Sequence, residues 1–371
     1  MRADTVPARL SLIFTTALLV QVACTDPGPS STTQDGSPTT QASSGGGQID
    51  LSTLLGRIVF SAGHPFEEDI YVINADGTGE MRVTTDPSAD FDPTWSPDGE
   101  RIAYRHQTGP GDERTPDIYV IGVDGAGKTN LTRSDGVLDW GPAWSPDGSR
   151  IAWNSDRNDP GIGDLDGFVM RPNGSRVEEI TDEPFFEYPS WSPDGERIAF
   201  MSPVGADYEI FVIDTDGSDA HQLTDSPGDD GWPSWSPDGS TILFASQRDD
   251  CSYSDAPDCM TTGDIGPYQT LYVMNADGSN VTRVSDAFGQ IADWSPDGRF
   301  IVFEDFEVGP ERDPGRRVGA HDDPDLGPER RFPRLDLVRF DLGGRSGPDR
   351  LELEPELLGR NLHARPVHPL G

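Results

Sequence analysis

Residues 95–104 read Trp95-Ser96-Pro97-Asp98-Gly99-Glu100-Arg101-Ile102-Ala103-Tyr104, and this run decides the fold because it recurs. Trp-Ser-Pro-Asp-Gly begins again at Trp144, Trp191, Trp235 and Trp294, so successive tryptophans stand 49, 47, 44 and 59 residues apart. A period of roughly 40–45 residues is the length of one four-stranded propeller blade. Ser-Pro-Asp-Gly is turn chemistry: proline presets φ, aspartate bonds back to the main chain, and glycine takes a conformation other residues avoid.

The rest of the repeat aligns around it. A β-rich run ending in an aromatic follows each turn, as in Arg101-Ile102-Ala103-Tyr104, Arg150-Ile151-Ala152-Trp153 and Arg197-Ile198-Ala199-Phe200. Equivalent runs begin at Arg57, Thr241 and Phe300, which makes six. After a variable loop comes a second strand such as Asp69-Ile70-Tyr71-Val72-Ile73, then an Asp-Gly turn such as Asn74-Ala75-Asp76-Gly77, whose glycine suits a short hairpin. A brief third strand closes on Leu131-Thr132 or Leu223-Thr224, and the fourth is expected to carry Trp-Ser, with Ser-Pro-Asp-Gly leading into the next blade. The expected fold is all-β: a six-bladed β-propeller of four-stranded antiparallel blades over residues 49–371. The ring is expected to close at the fourth strand of blade six, with Ile49 to Ser52 crossing from the N-terminus so that Leu51-Ser52 stands where other blades have Trp-Ser, the rival being Arg365-Pro366-Val367-His368-Pro369.

On these motifs the chain resembles the TolB-type propeller family, with its variant of the WD repeat, over about residues 49–371. The resemblance implies the propeller fold and an envelope setting. TolB itself has an α/β domain ahead of the propeller, where this sequence has a short polar tether. Related propellers also precede the hydrolase domain of prolyl-oligopeptidase-like enzymes, but no Gly-x-Ser-x-Gly elbow occurs here.

Residues 1–24 read as a signal peptide outside the fold. Arg2 and Arg9 give a positive start, and Leu10 to Ala23 is an apolar stretch too short for an ordinary membrane span. It ends at Val22-Ala23-Cys24, which resembles a bacterial lipobox and implies lipidation of Cys24. Ordinary signal cleavage and an uncleaved anchor are the alternatives. Residues 25–48 are rich in Ser, Thr, Gly, Gln and Pro and read as a disordered tether. With Cys24 lipidated, Cys251 and Cys259 remain, eight positions apart in one loop, and an exported compartment permits a disulfide.

The formal net charge of −37 argues against a nucleic-acid partner, which would need a basic footprint. The short turns should gather on one face of the disc and the variable loops on the other, and variable loops on a rigid scaffold are where binding residues usually sit. That face takes in 64–69, 106–117, 154–167, 247–268 and 304–334. Its candidate binding residues are His64, His106, Arg157, Arg248, Arg316 and Arg317. His64 and His106 occupy comparable places just past the first strand, where they would meet near the channel mouth of blades one and two.

Gly122-Val123-Asp124-Gly125-Ala126-Gly127-Lys128-Thr129 matches the phosphate-binding loop pattern. Its repeat position is that of the Asn74–Gly77 hairpin, so no nucleotide is expected. Asp164-Leu165-Asp166-Gly167 and Asp214-Thr215-Asp216-Gly217 are carboxylate-rich turns where calcium is the conceivable ion, yet neither has the full spacing of a calcium loop. The expectation is no catalytic residue, no metal and no cofactor. The function read from these residues is an exported, membrane-anchored lipoprotein facing the periplasm or cell exterior. It would bind an envelope protein or polymer and touch the membrane only through its lipid. An enzyme acting on saccharide or peptide at the channel mouth and a purely structural envelope component are the competing classes.

Exported protein should carry Cys251 and Cys259 as a disulfide. Intact-mass and peptide-mapping spectrometry should find neither thiol available for alkylation before reduction, and two free thiols would refute the pairing.

Overall fold

The computed structural model describes residues 21–23, 56–63, 67–108, 115–134, 136–158, 160, 165–181, 186–248, 269–288, 291–305 and 334–339. They form six antiparallel sheets, five of four strands and one of three. The first sheet contains β1 (Gln21–Ala23), β2 (Arg57–Ala62), β3 (Asp69–Asn74) and β4 (Met81–Arg82). The second contains β5 (Asp90–Trp95), β6 (Arg101–Thr108), β7 (Thr115–Gly122) and β8 (Thr129–Asn130). In the third are β9 (Asp139–Trp144), β10 (Ile151–Ser155), β11 (Asp166–Met170) and β12 (Glu178–Thr181). The fourth holds β13 (Glu187–Trp191), β14 (Arg197–Val204), β15 (Asp207–Asp214) and β16 (His221–Gln222). The fifth holds β17 (Asp230–Trp235), β18 (Thr241–Ser246), β19 (Thr270–Asn275) and β20 (Thr282–Phe288). The sixth described sheet is β21 (Ala292–Trp294), β22 (Phe300–Asp305) and β23 (Arg334–Arg339).

Strand order corrects the expected frame by one position. The Trp-Ser strand pairs with the strand that follows it, Trp95 opposite Ile102 and Trp235 opposite Ile242, so it opens its own sheet rather than ending the previous one. Ser-Pro-Asp-Gly is therefore a hairpin inside a sheet. Ser96 N–H donates to Arg101 O at 2.9 Å, Arg101 N–H donates to Ser96 Oγ at 2.9 Å, and Ser96 Oγ–H donates to Asp98 Oδ1 at 2.5 Å. The same bonds recur at Ser145, Ser192, Ser236 and Ser295. Gly99, Gly148, Gly195, Gly239 and Gly298 take φ of 66°, 68°, 71°, 70° and 68°, which is why the last turn residue is glycine. A turn this short closes a hairpin. It cannot reach the next sheet, which packs about 10 Å away.

The tryptophans join neighbouring sheets. The guanidinium of Arg57 lies over the Trp95 ring at 4.8 Å, Arg101 over Trp144 at 4.8 Å, Arg150 over Trp191 at 4.7 Å and Arg197 over Trp235 at 4.8 Å. Each arginine belongs to the sheet before its tryptophan. Trp191 Nε1–H donates to Ala143 O at 3.1 Å, and Trp294 Nε1–H to Ser234 O at 3.3 Å, again across a sheet boundary. Position 241 carries threonine where the arginine stands elsewhere, so the arginine stack is not repeated over Trp294.

The core is divided in the same way. One apolar cluster joins Ala103, Ile118 and Leu131 to Trp144, Ile151 and Phe168, and others join each later pair of sheets through the sixth. Val302 of β22 packs with Ile58, Phe60 and Tyr71 of the first sheet. The opening strands touch in sequence, and β1 lies against both β5 and β21.

β1 pairs with β2, Val22 opposite Ile58, and so fills the place that the tryptophan strand holds in other sheets. The sequence reading gave Leu51-Ser52 the Trp-Ser position as the fourth strand of the last blade and kept residues 1–24 outside the fold. Residues 51–52, the tether 25–48 and the rival segment 365–369 lie outside the described residues.

Trp191→Ala should lower unfolding free energy by about 3–5 kcal/mol, the cost of truncating a buried indole. Arg150→Ala should lower it by about 0.5–2 kcal/mol through the lost stack. Thr241→Arg should add up to about 1 kcal/mol by supplying the missing one. Urea titration of the three variants measures all of these.

Candidate functional site

The opening strands share an irregularity. Three residues before the tryptophan, Asp92, Gly141, Tyr188 and Trp232 have φ of 51°, 55°, 49° and 51°, and a proline follows each. Proline has no N–H for the ladder, and the pairing register shifts there in all four sheets. Such a bulge re-aims side chains. A left-handed backbone at aspartate, tyrosine and tryptophan is strain of the kind that collects at functional sites.

Asp92 is buried, and its Oδ2 pairs with Arg105 Nε at 3.1 Å. The Arg105 guanidinium lies over the Phe91 ring at 4.5 Å and over Trp140 of the next sheet at 4.9 Å. Burial pushes the Asp92 carboxyl above its ordinary range, and Arg105 only partly offsets this. Tyr188 and Trp232 face one another at 5.7 Å. Burial, with the Asp92 charge adding to it, holds the Tyr188 hydroxyl protonated. Four consecutive sheets thus contribute an ion pair and four aromatics, Phe91, Trp140, Tyr188 and Trp232, to one linked group.

Above this patch, toward the long loops, a buried aspartate opens β5, β9 and β17. Asp139 accepts from Trp153 Nε1 at 2.8 Å and from Arg157 at 3.0 Å. Asp230 accepts from Ser226 Oγ at 2.8 Å and from Arg248 at 2.8 Å. Asp90 is met instead by His106, Nδ1 to Oδ1 at 2.6 Å. Asp86 joins the group, its Oδ2 accepting from Lys128 Nζ at 2.6 Å. Lys128 Nζ stands 3.4 Å from His106 Nδ1 and 5.0 Å above the Tyr119 ring. Burial raises the Asp86 carboxyl, but the Lys128 hydrogen bond and charge outweigh it and hold the group below its ordinary value. Asp86, Asp90 and His106 offer ligand atoms that lie within 4.8 Å of one another.

A third set of acids is repeated at the start of the third strand of the first, second and fourth sheets. Thr84, Thr132 and Thr224 each donate a hydroxyl to Asp69, Asp117 and Glu209 and accept the N–H of the following isoleucine. Burial pushes Asp69 up to about 6 despite its ion pair with Arg82. It pushes Glu209 to about 7, with Asp230 and Asp225 adding to it and the Thr224 hydroxyl partly offsetting it. Glu187 is also raised to about 7 by burial, against the pull of the Tyr208 hydroxyl.

The sequence candidates divide accordingly. His106 is buried in the acid cluster. Arg157 and Arg248 are committed inward: each caps a buried aspartate and stacks on two rings, Trp153 with Phe168 and Phe244 with Tyr272. In this arrangement they support the loop face from within. Cys24, His64, Cys251, Cys259, Arg316 and Arg317 lie outside the described residues, and so does Asp164. Lys128 lies in the connection between β7 and β8, and β8 follows it where a phosphate loop would need a helix. It is, however, ion-paired rather than free as an ordinary turn lysine would be. Asp216 accepts from the Ser218 N–H and hydroxyl, closing its own turn. Sequence reading missed Asp86, Asp90, Asp92, Arg105, Trp140, Tyr188 and Trp232. The x-Pro-x-Trp spacing before four of the five turns was the signal that marked three of them, Asp92, Tyr188 and Trp232.

Residues 173–253 match the family model of the TolB beta propeller domain. TolB from Acinetobacter baumannii superposes with a TM-score of 0.55 at 20% identity, over 69% of this chain and 59% of its own. The TolB-assigned protein of Agrobacterium tumefaciens gives 0.51 at 25% identity, over 65% of this chain and 83% of its own. The chain thus spans 59% of the length of the Acinetobacter protein. A TolB-like β-propeller domain accounts for the fold.

Asp69, Glu187 and Glu209 keep their protons to higher pH when folded than when unfolded, where carboxyls titrate near about 4. Folding therefore takes up protons between about pH 4 and 7, and stability falls as pH rises through that window. Asp147 has the opposite sign: the Ser145 hydroxyl, then Ser149, lowers it to about 2, and its contribution is lost only in stronger acid. Melting temperature should be higher at pH 5 than at pH 8. Glu187→Gln should flatten that slope by roughly 1–3 kcal/mol across the window, and an unchanged slope would contradict the assignment.

Proposed function

We propose that this chain is an exported propeller of six blades, held at the bacterial envelope through lipidated Cys24, which binds an envelope protein on its long-loop face and carries out no chemistry of its own. The observation that carries the reading is the unequal use of the two faces. At the Ser-Pro-Asp-Gly face the polar side chains are consumed within the turns and the arginines in stacks over the next tryptophan, in blade after blade. On the loop face equivalent places differ. Where Asp90, Asp139 and Asp230 open their strands, the fourth sheet has Phe186, buried against Phe200 at 4.6 Å. A rigid frame carrying varied groups suits recognition. The match to the TolB propeller domain supports the envelope setting.

Five four-stranded sheets and a sixth of three described strands, with Val302 of the sixth packed against the first, support the reading of six blades. Cleavage ahead of Cys24 would remove β1 and open its place beside β2 to residues 49–52, whose spacing from Ile58 matches that of Trp-Ser in the other blades. The charge of −37 favours a partner with a basic surface over an anionic polymer.

Cys24→Ser should release the protein from the membrane fraction. Unchanged fractionation and processing would remove the anchor from the proposal. A photo-crosslinking side chain at Asn158 or Ala206, on the loop face, should capture a discrete envelope protein. The same group at Ser149 or Asp277, on the turn face, should not. Equal capture from both faces would defeat the face assignment, and protection of the loop face by purified anionic envelope polymer alone would replace the protein partner.

A further inference from the structure

The repeat supplies an internal comparison for the His106 cluster. In the third and fifth sheets the residue opposite the buried aspartate is serine: Asp139 pairs with Ser155 and Asp230 with Ser246. Two residues further on, Arg157 and Arg248 return their guanidinium groups to those aspartates. In the second sheet the residue opposite Asp90 is His106, and the residue two further on is Thr108. No arginine stands at the equivalent position, and an imidazole has replaced the serine. A second carboxylate has also arrived. Asp86 lies two residues past Thr84, where Ser226 stands two past Thr224. One oxygen of each of the three aspartates has no hydrogen-bond partner, but Asp139 and Asp230 each accept from two side chains, whereas His106 is the only side-chain donor to Asp90 among the described residues, whose Oδ2 is left bare beside Asp86 and the imidazole.

We propose that Asp86, Asp90 and His106 form a binding site for a first-row divalent cation of the Mn2+ or Zn2+ class, in which the Lys128 ammonium is a competing occupant. Nδ1 of His106 is 2.6 Å from Asp90 Oδ1 and 3.8 Å from Asp86 Oδ1. Ligand atoms about 2.0–2.2 Å from a central ion lie roughly 3 Å from each other, so a small shift of the half-exposed Asp86 completes the site. One imidazole with two carboxylates suits manganese or zinc, whereas calcium and magnesium favour oxygen donors throughout. Three protein ligands leave further coordination positions for water or for a donor from a partner.

Lys128 marks the cation position. Its ammonium touches Asp86 and stands 3.4 Å from the imidazole. Asp86 and Lys128 are each 31% exposed, so an ion can enter and the flexible lysine can leave without unpacking the core. Two carboxylates against one ammonium leave a net negative charge that a divalent ion would balance.

The test uses the full-length chain stripped with chelator. Mn2+ uptake is followed by paramagnetic resonance of the free ion, and Zn2+ uptake by competition with a chromophoric chelator. About one ion should bind per chain. His106→Gln and Asp86→Asn should weaken binding at least about tenfold, with circular dichroism confirming that both variants fold. Lys128→Met should tighten it severalfold, an effect that a purely structural ion pair would not produce. Co2+ bound to the chain should show absorption that changes in His106→Gln. Absence of saturable uptake by both the native chain and Lys128→Met would overturn the site. Uptake unaffected by His106→Gln and Asp86→Asn would place the ion elsewhere and overturn it equally. Competition by Ca2+ as strong as by Mn2+ would overturn the ion class.

Discussion

An arginine laid over the tryptophan of the following sheet is the contact on which the rest of this structure depends. It explains why the motif is longer than five residues. The tryptophan ends the opening strand, the Ser-Pro-Asp-Gly turn reverses the chain, and the arginine two residues past the glycine then reaches the neighbouring tryptophan. Each stack contributes about 0.5–2 kcal/mol. More important is its direction: each of the first four sheets is joined to the next and not to itself. The apolar clusters obey the same rule, since each is shared by two sheets. The close approaches do as well. A Cβ at Gly217 would stand 2.7 Å from the Ile180 carbonyl of the preceding sheet, at a φ of +86°. No sheet has a core of its own.

That mode of assembly separates the two faces. Turn-side polar groups are bonded into identical hairpins, so they have little freedom to vary. The loop side is freed from this constraint, and there the chain places acids that would be costly to bury unpaired. Arg157 and Arg248 neutralise two of them, while Asp69, Glu187 and Glu209 are left to titrate near neutrality. The strained bulges at Asp92, Tyr188 and Trp232 add aromatic surface and an ion pair below. A partner approaching from this side would meet a rigid frame whose charge depends on pH. The His106 cluster stands out within it, because a permanent cation has been exchanged for an imidazole, a second carboxylate and a mobile lysine.

Much of this was legible in the sequence, for a local reason. The period, the turn residues and the aromatic strand ends are short-range signals, and they identified the propeller and most strands within a residue or two. The phosphate-loop pattern at Gly122–Thr129 was read correctly as a hairpin, because the repeat alignment outweighed the isolated match. The blade frame was wrong by one strand. Sequence places Trp-Ser next to both a preceding and a following strand, and only the closed Ser96–Arg101 hairpin shows which one it pairs with. Arg157 and Arg248 were picked for a binding face on their loop position alone, and their side chains turn back onto buried aspartates.

The sequence by itself determined the repeat, the turn chemistry, the acidic balance and the grouping of short turns opposite long loops, since each follows from residues adjacent along the chain. Tertiary structure alone decided that β1 occupies the opening place of the first sheet, a place the sequence reading did not assign to residues 21–23. Strand addition is made through main-chain hydrogen bonds that many extended segments can supply. It also decided that Lys128, Asp86, Asp90 and His106 meet. Lys128 and Asp86 are 42 residues apart along the chain and belong to different repeats. Only the packing of one sheet on the next brings their charges within hydrogen-bonding distance.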